Sequence, residues 1–253
     1  MDEDLRHALI TAAATPRLLV TSDYDGTLAP LVNDPSAAIP HPDVVELFTA
    51  LAACRQTSTA LISGRSRADL AALAGTPPEV HLVGSHGAEF DTGFAQPLDG
   101  PAQALRERVL TGLTSLTAGL DGVALETKPA SVAVHVRNAS PEVGERTLAA
   151  VREGPARWDG VEVTEGKCVI ELAVIRTDKG SAVEKLRAEC EATAVIFFGD
   201  DVTDEKAFRR LREGDVGVKV GDGDSAAQFR VESTDEVVTA LAALLERRRE
   251  FLR

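Results

Sequence analysis

A short apolar run that ends in two acidic residues constrains the fold of this chain more than any other feature. Residues 18–27 have the sequence LLVTSDYDGT, in which the apolar part fits a buried strand and Asp23 and Asp25 follow it directly. In an open α/β sheet, ligands bind at the carboxyl ends of the strands. Two carboxylates this close repel each other unless a cation or a chemical task holds them together. The alternative interpretation is a simple turn, because Asp and Gly favour turns.

A second acidic cluster lies far downstream and has the same arrangement. The apolar run Val195–Phe198 is followed by Gly199 and then by Asp200, Asp201 and Asp204. If the two strands are neighbours in a parallel sheet, their acids form one oxygen-rich pocket. Oxygen ligands with no supporting His or Cys suit Mg²⁺, which uses one or two carboxylates together with waters and substrate phosphate. The sequence therefore predicts Mg²⁺ as a cofactor.

Two further side chains at predicted element ends suit a phosphate group. Ser63 follows the apolar strand Thr57–Ile62, and Lys179 begins a predicted helix over Asp178–Cys190. A hydroxyl, an ammonium group and a helix N-terminus are what a phosphate needs. Taken singly, Ser63 is more simply a turn residue and Lys179 a solvated surface lysine. Their joint placement with the acids, each at the end of an element, is much more specific.

The alternation of strands and helices predicts an α/β fold with a doubly wound parallel sheet. The predicted strands of this sheet begin at Leu18 and span Thr57–Ile62, Val80–Val83, Ala194–Phe198 and Val216–Val220. A helix is predicted over Asp204–Leu211, between the last two of these strands. After about residue 95 the pattern changes, and Ser131–Val136 alternates its side chains as a half-buried strand does. We therefore predict a core of residues 1–95 and 177–253 and an inserted, smaller α/β domain of residues 96–176.

Composition restricts the partners and the location. The chain has 253 residues, 44% of them hydrophobic, and a formal net charge of −13. This charge argues against binding to nucleic acid or to an anionic membrane, since both need a basic surface. No apolar run approaches the ~18 residues of a membrane span, and the acidic start Met1–Asp4 is unlike a signal peptide. The three cysteines form no CxxC pair, so we expect a reduced, cytoplasmic protein, and we expect a monomer.

The order of four motifs resembles that of the haloacid dehalogenase (HAD) superfamily of phosphatases. These motifs are DYDGT at 23–27, ISGR at 62–65, Lys179, and GDDVTDE at 199–205. Within that superfamily the chain resembles the trehalose-6-phosphate phosphatases. The segments that carry this second resemblance are GSHGAE at 84–89, ETKPASVAVHVR at 126–137, the pair Lys167 and Glu171, and TDKG at 177–180. The resemblance covers nearly the whole chain, and it departs at Val136, where the family often has Tyr.

The resemblance implies a HAD-like core, an inserted cap that determines substrate specificity, and hydrolysis of trehalose 6-phosphate to trehalose and phosphate. Asp23 is expected to attack phosphorus and form an aspartyl-phosphate, and Asp25 to serve as general acid and then general base. Lys179 is expected to neutralise the phosphoryl oxygens. The resemblance further implies that Asp23, the backbone carbonyl of Asp25 and Asp200 bind Mg²⁺.

Supporting roles follow from the same resemblance. Ser63 and Thr27 are expected to hydrogen-bond the phosphoryl group. Asp201 and Asp204 are expected to orient metal-bound waters or Lys179. Arg65 either reaches the substrate or braces its loop.

Polar residues of the insert are candidates for contacts with the sugar. By the two-residue period of a strand, Glu126 and Lys128 share a face, as do His135 and Arg137. The alternative is that this face is simply the solvent side of a half-buried sheet. With the resemblance, the set of predicted substrate-binding residues comprises Thr27, Arg65, His86, Gly87, Glu126, Lys128, His135, Arg137, Lys167 and Glu171.

Two other functional classes remain open at this point. One is a different sugar-phosphate phosphatase, or a phosphosugar mutase, on the same scaffold. The other is a non-catalytic regulator that binds a sugar phosphate. The intact set of Asp23, Asp25, Lys179 and Asp200 argues against the regulator, because a protein that only binds has no need of the second acid.

Overall fold

The computed structural model describes residues 1–32 and 34–253. By its internal contacts the chain divides into two compact units, one of Met1–Gly93 with Thr177–Arg253 and one of Phe94–Arg176. The predicted insert spans 96–176. Each unit has its own sheet and its own hydrophobic core. Their roles as catalytic core and specificity cap remain predictions.

The strands and helices alternate along the first unit and change order in the second. The strands are β1 (Leu18–Ser22), β2 (Thr57–Ile62), β3 (Val80–Val83), β4 (Glu89–Phe90), β5 (Gly93–Phe94), β6 (Ala124–Lys128), β7 (Ser131–His135), β8 (Glu162–Gly166), β9 (Val169–Ala173), β10 (Ala194–Gly199), β11 (Val216–Val220) and β12 (Phe229–Val231). The α-helices are α1 (Glu3–Ala13), α2 (Pro42–Ala52), α3 (Arg67–Ala74), α4 (Gly100–Thr117), α5 (Pro141–Glu153), α6 (Lys179–Glu189), α7 (Glu205–Phe208) and α8 (Thr234–Phe251).

The first unit is built on a six-stranded parallel sheet with the order β12-β11-β10-β1-β2-β3. Leu18 at the start of β1 lies opposite Ala194 of β10 on one side and Thr57 of β2 on the other. Both β1 and β10 are buried along their whole lengths, which is why their sequences are mainly apolar. The polar Thr21 of β1 donates its hydroxyl to the Ile196 carbonyl. The predicted doubly wound parallel sheet is confirmed, and β1 and β10 are neighbours within it.

Both faces of this sheet are covered. On one face, Val20, Ile196 and Phe198 form a buried cluster with residues of α1, α2 and α8, among them Phe48. Successive side chains of a strand point to opposite faces. The other face therefore carries Phe197, whose ring meets that of Phe208 on α7 edge to face at a centroid distance of 5.4 Å. Packing on both faces fixes the ends of β1 and β10, where the acidic residues lie.

The second unit contains a four-stranded antiparallel sheet with the order β6-β7-β9-β8. Val132 and Val134 of β7 pack with Val109 and Leu113 of α4 in a separate buried core. The other face of this sheet carries polar side chains, among them Glu126 and Glu171. Ala133 of β7 pairs with residues 126 and 171, so the side chains at these positions lie on the face away from that core.

The structure differs from the sequence prediction at short elements of the first unit, among them β4, α7 and β12. The helix predicted over Asp204–Leu211 is only the four-residue α7, because Arg210 and Leu211 turn back to carbonyls three residues earlier. Strands β4 and β12 were not predicted, since their two and three residues are too few to show a periodicity. Within the described residues, no helix is both long and apolar enough to cross a membrane.

Candidate active site

Three carboxylates meet at the carboxyl ends of β1 and β10. The backbone NH of Asp23 donates to the carbonyl of Phe198 at 2.8 Å, which joins the two strand ends. One carboxylate oxygen each of Asp23, Asp200 and Asp204 lie within 4.8 Å of one another. Such an oxygen-only set suits a hard divalent cation such as Mg²⁺. The juxtaposition predicted from the two acidic motifs is therefore present, with Asp204 closer to the centre than expected.

Lys179 enters this cluster from the first turn of α6. The helix begins with a capping box, in which the Ser181 NH donates to Asp178 Oδ1 at 2.7 Å and the Asp178 NH donates to Ser181 Oγ at 3.0 Å. The Lys179 ammonium lies 2.8 Å from Asp23 Oδ1 and donates to Asp204 Oδ1 at 2.7 Å. Its side chain is only 2% exposed. The cap thus fixes the direction in which a buried cation points at two acids.

Burial and crowding shift the pKa values of these acids. Burial, reinforced by Asp200 and Asp201 and opposed by Lys179, raises the pKa of Asp23 to about 8. Burial also raises the pKa of Asp204 to about 8 and that of Asp200 to about 6. For Lys179, burial acts to lower the pKa, but Asp204 and Asp23 outweigh it and raise the pKa. One ammonium group therefore does not offset the charge of these carboxylates, and crowded, buried oxygen ligands of this kind are what a divalent cation favours.

Asp204 organises the loop after β10. Its Oδ2 accepts hydrogen bonds from the backbone NH groups of Asp200 and Asp201, both at 2.9 Å. Its Oδ1 accepts from Lys179, as described above. The Asp201 carboxylate instead accepts from the Thr203 NH at 2.8 Å and the Thr203 hydroxyl at 2.6 Å. Asp204 thus connects the acidic loop to the lysine, whereas Asp201 stabilises the turn.

The Asp25 carboxylate pairs with Arg65. The guanidinium donates through Nε to Asp25 Oδ2 at 2.7 Å and through its terminal nitrogen to Oδ1 at 2.6 Å. It also lies 5.8 Å from the centre of the Tyr24 ring. This two-pronged contact fixes the orientation of the Asp25 carboxylate. This contact is what the bracing role of Arg65 requires, and contact of Arg65 with the substrate remains a prediction.

Gly26 and Thr27 contact the downstream acid. Gly26 has a φ of +84°, and a Cβ there would lie 2.1 Å from Asp200 Oδ2. Only glycine therefore allows β1 and the loop after β10 to approach this closely. The Thr27 hydroxyl donates to Asp200 Oδ1 at 3.3 Å.

Ser63 and the turn after β3 form the other wall of the site. Ser63 is 1% exposed, and its Oγ accepts from the Arg65 NH at 3.1 Å. Its carbonyl accepts from the His86 NH at 2.9 Å, which places the 3₁₀ turn Ser85–Gly87 beside it. Gly87 has a φ of +107°, and a Cβ there would lie 2.7 Å from the Asp178 carbonyl at the start of α6. His86 and Gly87 thus lie next to the helix that carries Lys179.

The second unit has a polar cluster of its own on the sheet face opposite its core. Lys128 donates to Glu171 Oε2 at 2.8 Å, and the Ser131 hydroxyl donates to Glu171 Oε1 at 2.5 Å. Glu126 Oε2 lies 2.8 Å from His135 Nε2. Lys128 and Glu171 are buried, with 5% and 7% exposure. Buried charges that are paired and hydrogen-bonded in this way are not the ordinary solvent side of a half-buried sheet.

A model of the trehalose-phosphatase family matches residues 21–238. The chain belongs to this family. A trehalose-phosphate phosphatase of Mycobacterium marinum is 37% identical over 88% of this chain and 60% of its own length. The trehalose-6-phosphate phosphatase of Escherichia coli is 30% identical over 90% of this chain and 88% of its own length. The chain spans less than two thirds of the length of the first curated relatives it matches.

A solved structure supports the same fold for this trehalose-phosphatase family member. The C-terminal domain of the C. albicans trehalose-6-phosphate phosphatase matches with a TM-score of 0.81 and 24% identity, over 96% of this chain and 97% of that one. The HAD-like fold with an inserted smaller sheet is therefore confirmed. So is the family that the motifs predicted.

The predicted site residues fall into three groups in this family member. Those of the first unit gather around the strand ends; they are Asp23, Asp25, Thr27, Ser63, Arg65, His86, Gly87, Lys179, Asp200, Asp201 and Asp204. In the second unit, Glu126, Lys128, His135 and Glu171 share one cluster. Arg137 and Lys167 are exposed and lie outside the contacts of that cluster. Their individual roles remain predictions.

Two residues of the site were missed from the sequence. Lys219 of β11 is 5% exposed, and its ammonium donates to the carbonyl of Asp200 and, at 3.1 Å, to that of Val220. The available signal was a lysine inside the otherwise apolar strand VGVKV. Ser131 was also missed, since nothing in its sequence context indicates that its hydroxyl contacts Glu171.

Proposed function

We propose that this chain is a Mg²⁺-dependent phosphatase that hydrolyses trehalose 6-phosphate to trehalose and inorganic phosphate. The observation that carries this proposal is the buried Lys179 ammonium held between Asp23 and Asp204, beside Asp200, at adjacent strand ends. Membership of the trehalose-phosphatase family supports the choice of substrate. The cytoplasmic location and the monomeric state are further proposals that rest on the sequence alone.

The cation site would use the carboxylates of Asp23 and Asp200 and the backbone carbonyl of Asp25. A bound Mg²⁺ supplies positive charge that offsets the phosphoryl oxygens and the carboxylates. Asp204 orders the loop that presents Asp200, through two backbone hydrogen bonds. Lys219 of β11 stabilises the same loop by donating a hydrogen bond to the Asp200 carbonyl.

The chemical steps use the two acids of the first motif in sequence. The Asp23 carboxylate attacks phosphorus, and the bond from phosphorus to the sugar oxygen breaks as Asp25 donates a proton to that oxygen. Asp25 then removes a proton from water, which attacks the aspartyl-phosphate and releases phosphate and free Asp23. Lys179, 2.8 Å from Asp23, balances charge throughout. Arg65 keeps the Asp25 carboxylate in one orientation for both proton transfers.

Phosphate positioning falls to hydroxyl groups at neighbouring loops. The Ser63 Oγ accepts from the Arg65 NH, so its own hydroxyl proton can point to a phosphoryl oxygen. The Thr27 hydroxyl, which donates to Asp200 in the structure, is the second group proposed to hydrogen-bond the phosphoryl oxygens. His86 and Gly87, tied to Ser63 and close to the start of α6, are proposed to contact the substrate from the same wall.

Sugar specificity is proposed to belong to the second unit. Its polar cluster presents acids and a lysine, which are suitable hydrogen-bond partners for sugar hydroxyls. The proposed contacts are Glu126, Lys128, His135, Arg137, Lys167 and Glu171. A phosphate site alone does not distinguish one sugar phosphate from another, so a second set of contacts is needed.

The test is phosphate release by the purified chain from trehalose 6-phosphate and from a panel of other sugar phosphates, with Mg²⁺ or with excess chelator. We expect Mg²⁺-dependent release that is fastest with trehalose 6-phosphate and is abolished in Asp23→Asn. The charge-matched control is Asp4→Asn, an exposed acid of α1, which should retain full activity. Formation of an isomeric sugar phosphate without phosphate release would indicate a mutase. Binding without turnover would indicate a regulator.

A further inference from the structure

A buried lysine of β11 contacts the loop that carries Asp200. Lys219 is 5% exposed and pairs in register with Gly199, the last residue of β10. Its neighbours Val218 and Val220 face the core shared with α1, α2 and α8, so its own side chain points to the opposite face of the sheet. An ammonium group is costly to bury, and the rest of the strand is apolar. The position of this lysine therefore needs a specific explanation.

The partners of this ammonium group are backbone carbonyls. Lys219 donates to the carbonyl of Asp200 and, at 3.1 Å, to that of Val220. Among the residues that the structure describes, no carboxylate pairs with it. Lys179, by contrast, lies between two carboxylates of the site. Lys219 therefore holds the backbone of the loop, whereas Lys179 balances the charge of the acids.

Hydrogen bonds fix both peptide groups that flank Asp200. The backbone NH groups of Asp200 and Asp201 donate to Asp204 Oδ2, both at 2.9 Å. The carbonyl of Asp200 accepts from Lys219. Each peptide group is planar, so the orientations of the two groups that flank a residue determine its φ and ψ. The backbone of Asp200 is therefore fixed from both sides, and its carboxylate leaves the chain in one direction.

Hydrophobic packing does not hold the middle of the loop after β10. Asp201 is exposed, and Val202 is 68% exposed. The next residues are joined to the loop after β11 by polar contacts. Glu205 accepts from the Ser225 hydroxyl at 2.6 Å and from the Ala226 NH at 2.9 Å. Hydrogen bonds with neighbouring segments, rather than burial of apolar side chains, therefore keep this loop in place.

We propose that Lys219 is a positioning residue of the cation site, which fixes the backbone of Asp200 so that its carboxylate is aimed at Mg²⁺. This role rests on the proposed function, in which Asp200 is a ligand of the cation. Lys219 acts through the Asp200 carbonyl and contacts neither the cation nor the substrate. Loss of a group that orients a metal ligand usually weakens metal binding about ten- to a hundred-fold. Removal of the Lys219 ammonium should therefore weaken cation binding although every acid of the site is still present.

The first experiment is calorimetric titration of the full chain with Mg²⁺, which measures affinity without reference to turnover. Lys219→Met replaces the ammonium by an apolar group of similar length, and we expect it to bind Mg²⁺ about ten- to a hundred-fold more weakly than the original chain. Lys206→Met is the matched control, because Lys206 is an exposed lysine of α7 and its loss changes the net charge equally. It should keep the original affinity. Asp200→Asn should lose binding, which shows that the titration reports on this site.

The second experiment separates positioning from a merely structural role, which would lower turnover at every Mg²⁺ concentration. We expect Lys219→Met to need about ten- to a hundred-fold more Mg²⁺ for half-maximal phosphate release from trehalose 6-phosphate. At saturating Mg²⁺ it should approach the original kcat. Urea unfolding without Mg²⁺ reports on the fold. Its midpoint should change little, because the lost bond to the Asp200 carbonyl is offset by no longer burying an ammonium that lacks a carboxylate partner.

Two results overturn this role alone and leave the proposed function intact. One is an unchanged Mg²⁺ affinity in folded Lys219→Met when Asp200→Asn has lost binding. The other is a loss of kcat in Lys219→Met that excess Mg²⁺ does not restore. Absence of Mg²⁺ binding by the original chain would instead overturn the cation site, and this role with it. If Lys219→Met does not fold, Lys219→Leu takes its place, and an unchanged Mg²⁺ affinity in that variant contradicts the proposal.

Discussion

At the residue scale, two residues without a chemical role determine where the carboxylates of the candidate site lie. Gly26 allows the loop after β1 to approach Asp200, and Arg65 holds the Asp25 carboxylate by two hydrogen bonds. Neither residue supplies chemistry in the proposed reaction. Each instead fixes the place of a carboxylate that does, so each can be tested separately from the acids.

Gly26→Ala is expected to weaken divalent-cation binding about ten- to a hundred-fold, the usual loss when a group that orients a ligand is disturbed. The new Cβ would lie 2.1 Å from Asp200 Oδ2 and must displace that carboxylate. Calorimetric titration with Mg²⁺ measures the loss without reference to turnover. Gly75→Ala is the matched control, because Gly75 also has a positive φ, +60°, but nothing lies within 4 Å of its Cβ position. Equal losses in both variants would mean that backbone strain, not the contact with Asp200, is responsible.

Arg65→Gln is expected to lower kcat about ten- to a hundred-fold and to change KM little. A hydrogen bond to a charged group contributes about 1.5–3 kcal/mol, and here it orients the general acid in the transition state. Steady-state kinetics with trehalose 6-phosphate separates the two constants. Arg152→Gln is the control, because Arg152 makes a similar two-pronged contact with Glu165 at the surface of the second unit. A loss confined to KM would instead assign Arg65 to substrate binding.

At the scale of elements, helix α6 positions the cation of the site. Its capping box satisfies backbone NH groups of the first turn, and Lys179 is the first helical residue. The helix also carries the buried Val183 and Leu186, which anchor it against the sheet. The backbone of Lys179 lies in the first turn of a packed helix, and the capping box fixes that turn. The cap therefore sets the direction in which the lysine side chain leaves the helix.

Asp178→Ala is expected to lower the free energy of unfolding by about 1 kcal/mol, the usual cost of losing an N-cap. It should also reduce kcat, because the first turn that carries Lys179 loses its fixed start. Asp99→Ala is the matched variant, since Asp99 caps α4 by accepting from the Ala102 NH at 3.0 Å. Urea titration and kinetics on both variants check the prediction. The prediction is supported if both variants lose a similar amount of stability and only Asp178→Ala loses turnover. Unchanged turnover in Asp178→Ala contradicts it.

At the scale of the whole molecule, the two units carry different chemistry. The first contains the acids and lysine proposed to act on phosphate, and the second contains the paired charges proposed to contact the sugar. Their sheets and hydrophobic cores are separate. A change in the second unit should therefore affect the choice of substrate more than the phosphoryl chemistry.

Glu171→Gln is expected to lower kcat/KM for trehalose 6-phosphate about ten-fold or more, because a charged hydrogen bond to a sugar hydroxyl is lost. Hydrolysis of p-nitrophenyl phosphate should stay nearly unchanged, since that substrate has no sugar hydroxyls. Glu165→Gln, an exposed acid of the same sheet, is the control for both substrates. Equal losses on both substrates would assign Glu171 to folding, because it also bonds to Lys128 and Ser131.

The sequence by itself determined five of the six strands of the main sheet, the acids at their ends and the family. Strands buried on both faces are mainly apolar, and acids directly after them are conspicuous, so the local pattern was sufficient. The start of α6 at Lys179 was equally visible, because it follows a capping residue. The short α7 and β12 were mispredicted or missed because they contain too few residues to show a period.

Only the tertiary structure decided which of these side chains meet. Thr21 bonds to the Ile196 carbonyl 175 residues further on, and Arg65 pairs with Asp25 across 40 residues. The central place of Asp204 and the contact of Lys219 with Asp200 were likewise absent from the local pattern. Such contacts depend on the order of strands in the sheet and on the direction of each side chain. Both are properties of the packed chain as a whole, because burial of the entire core selects them and no single segment does.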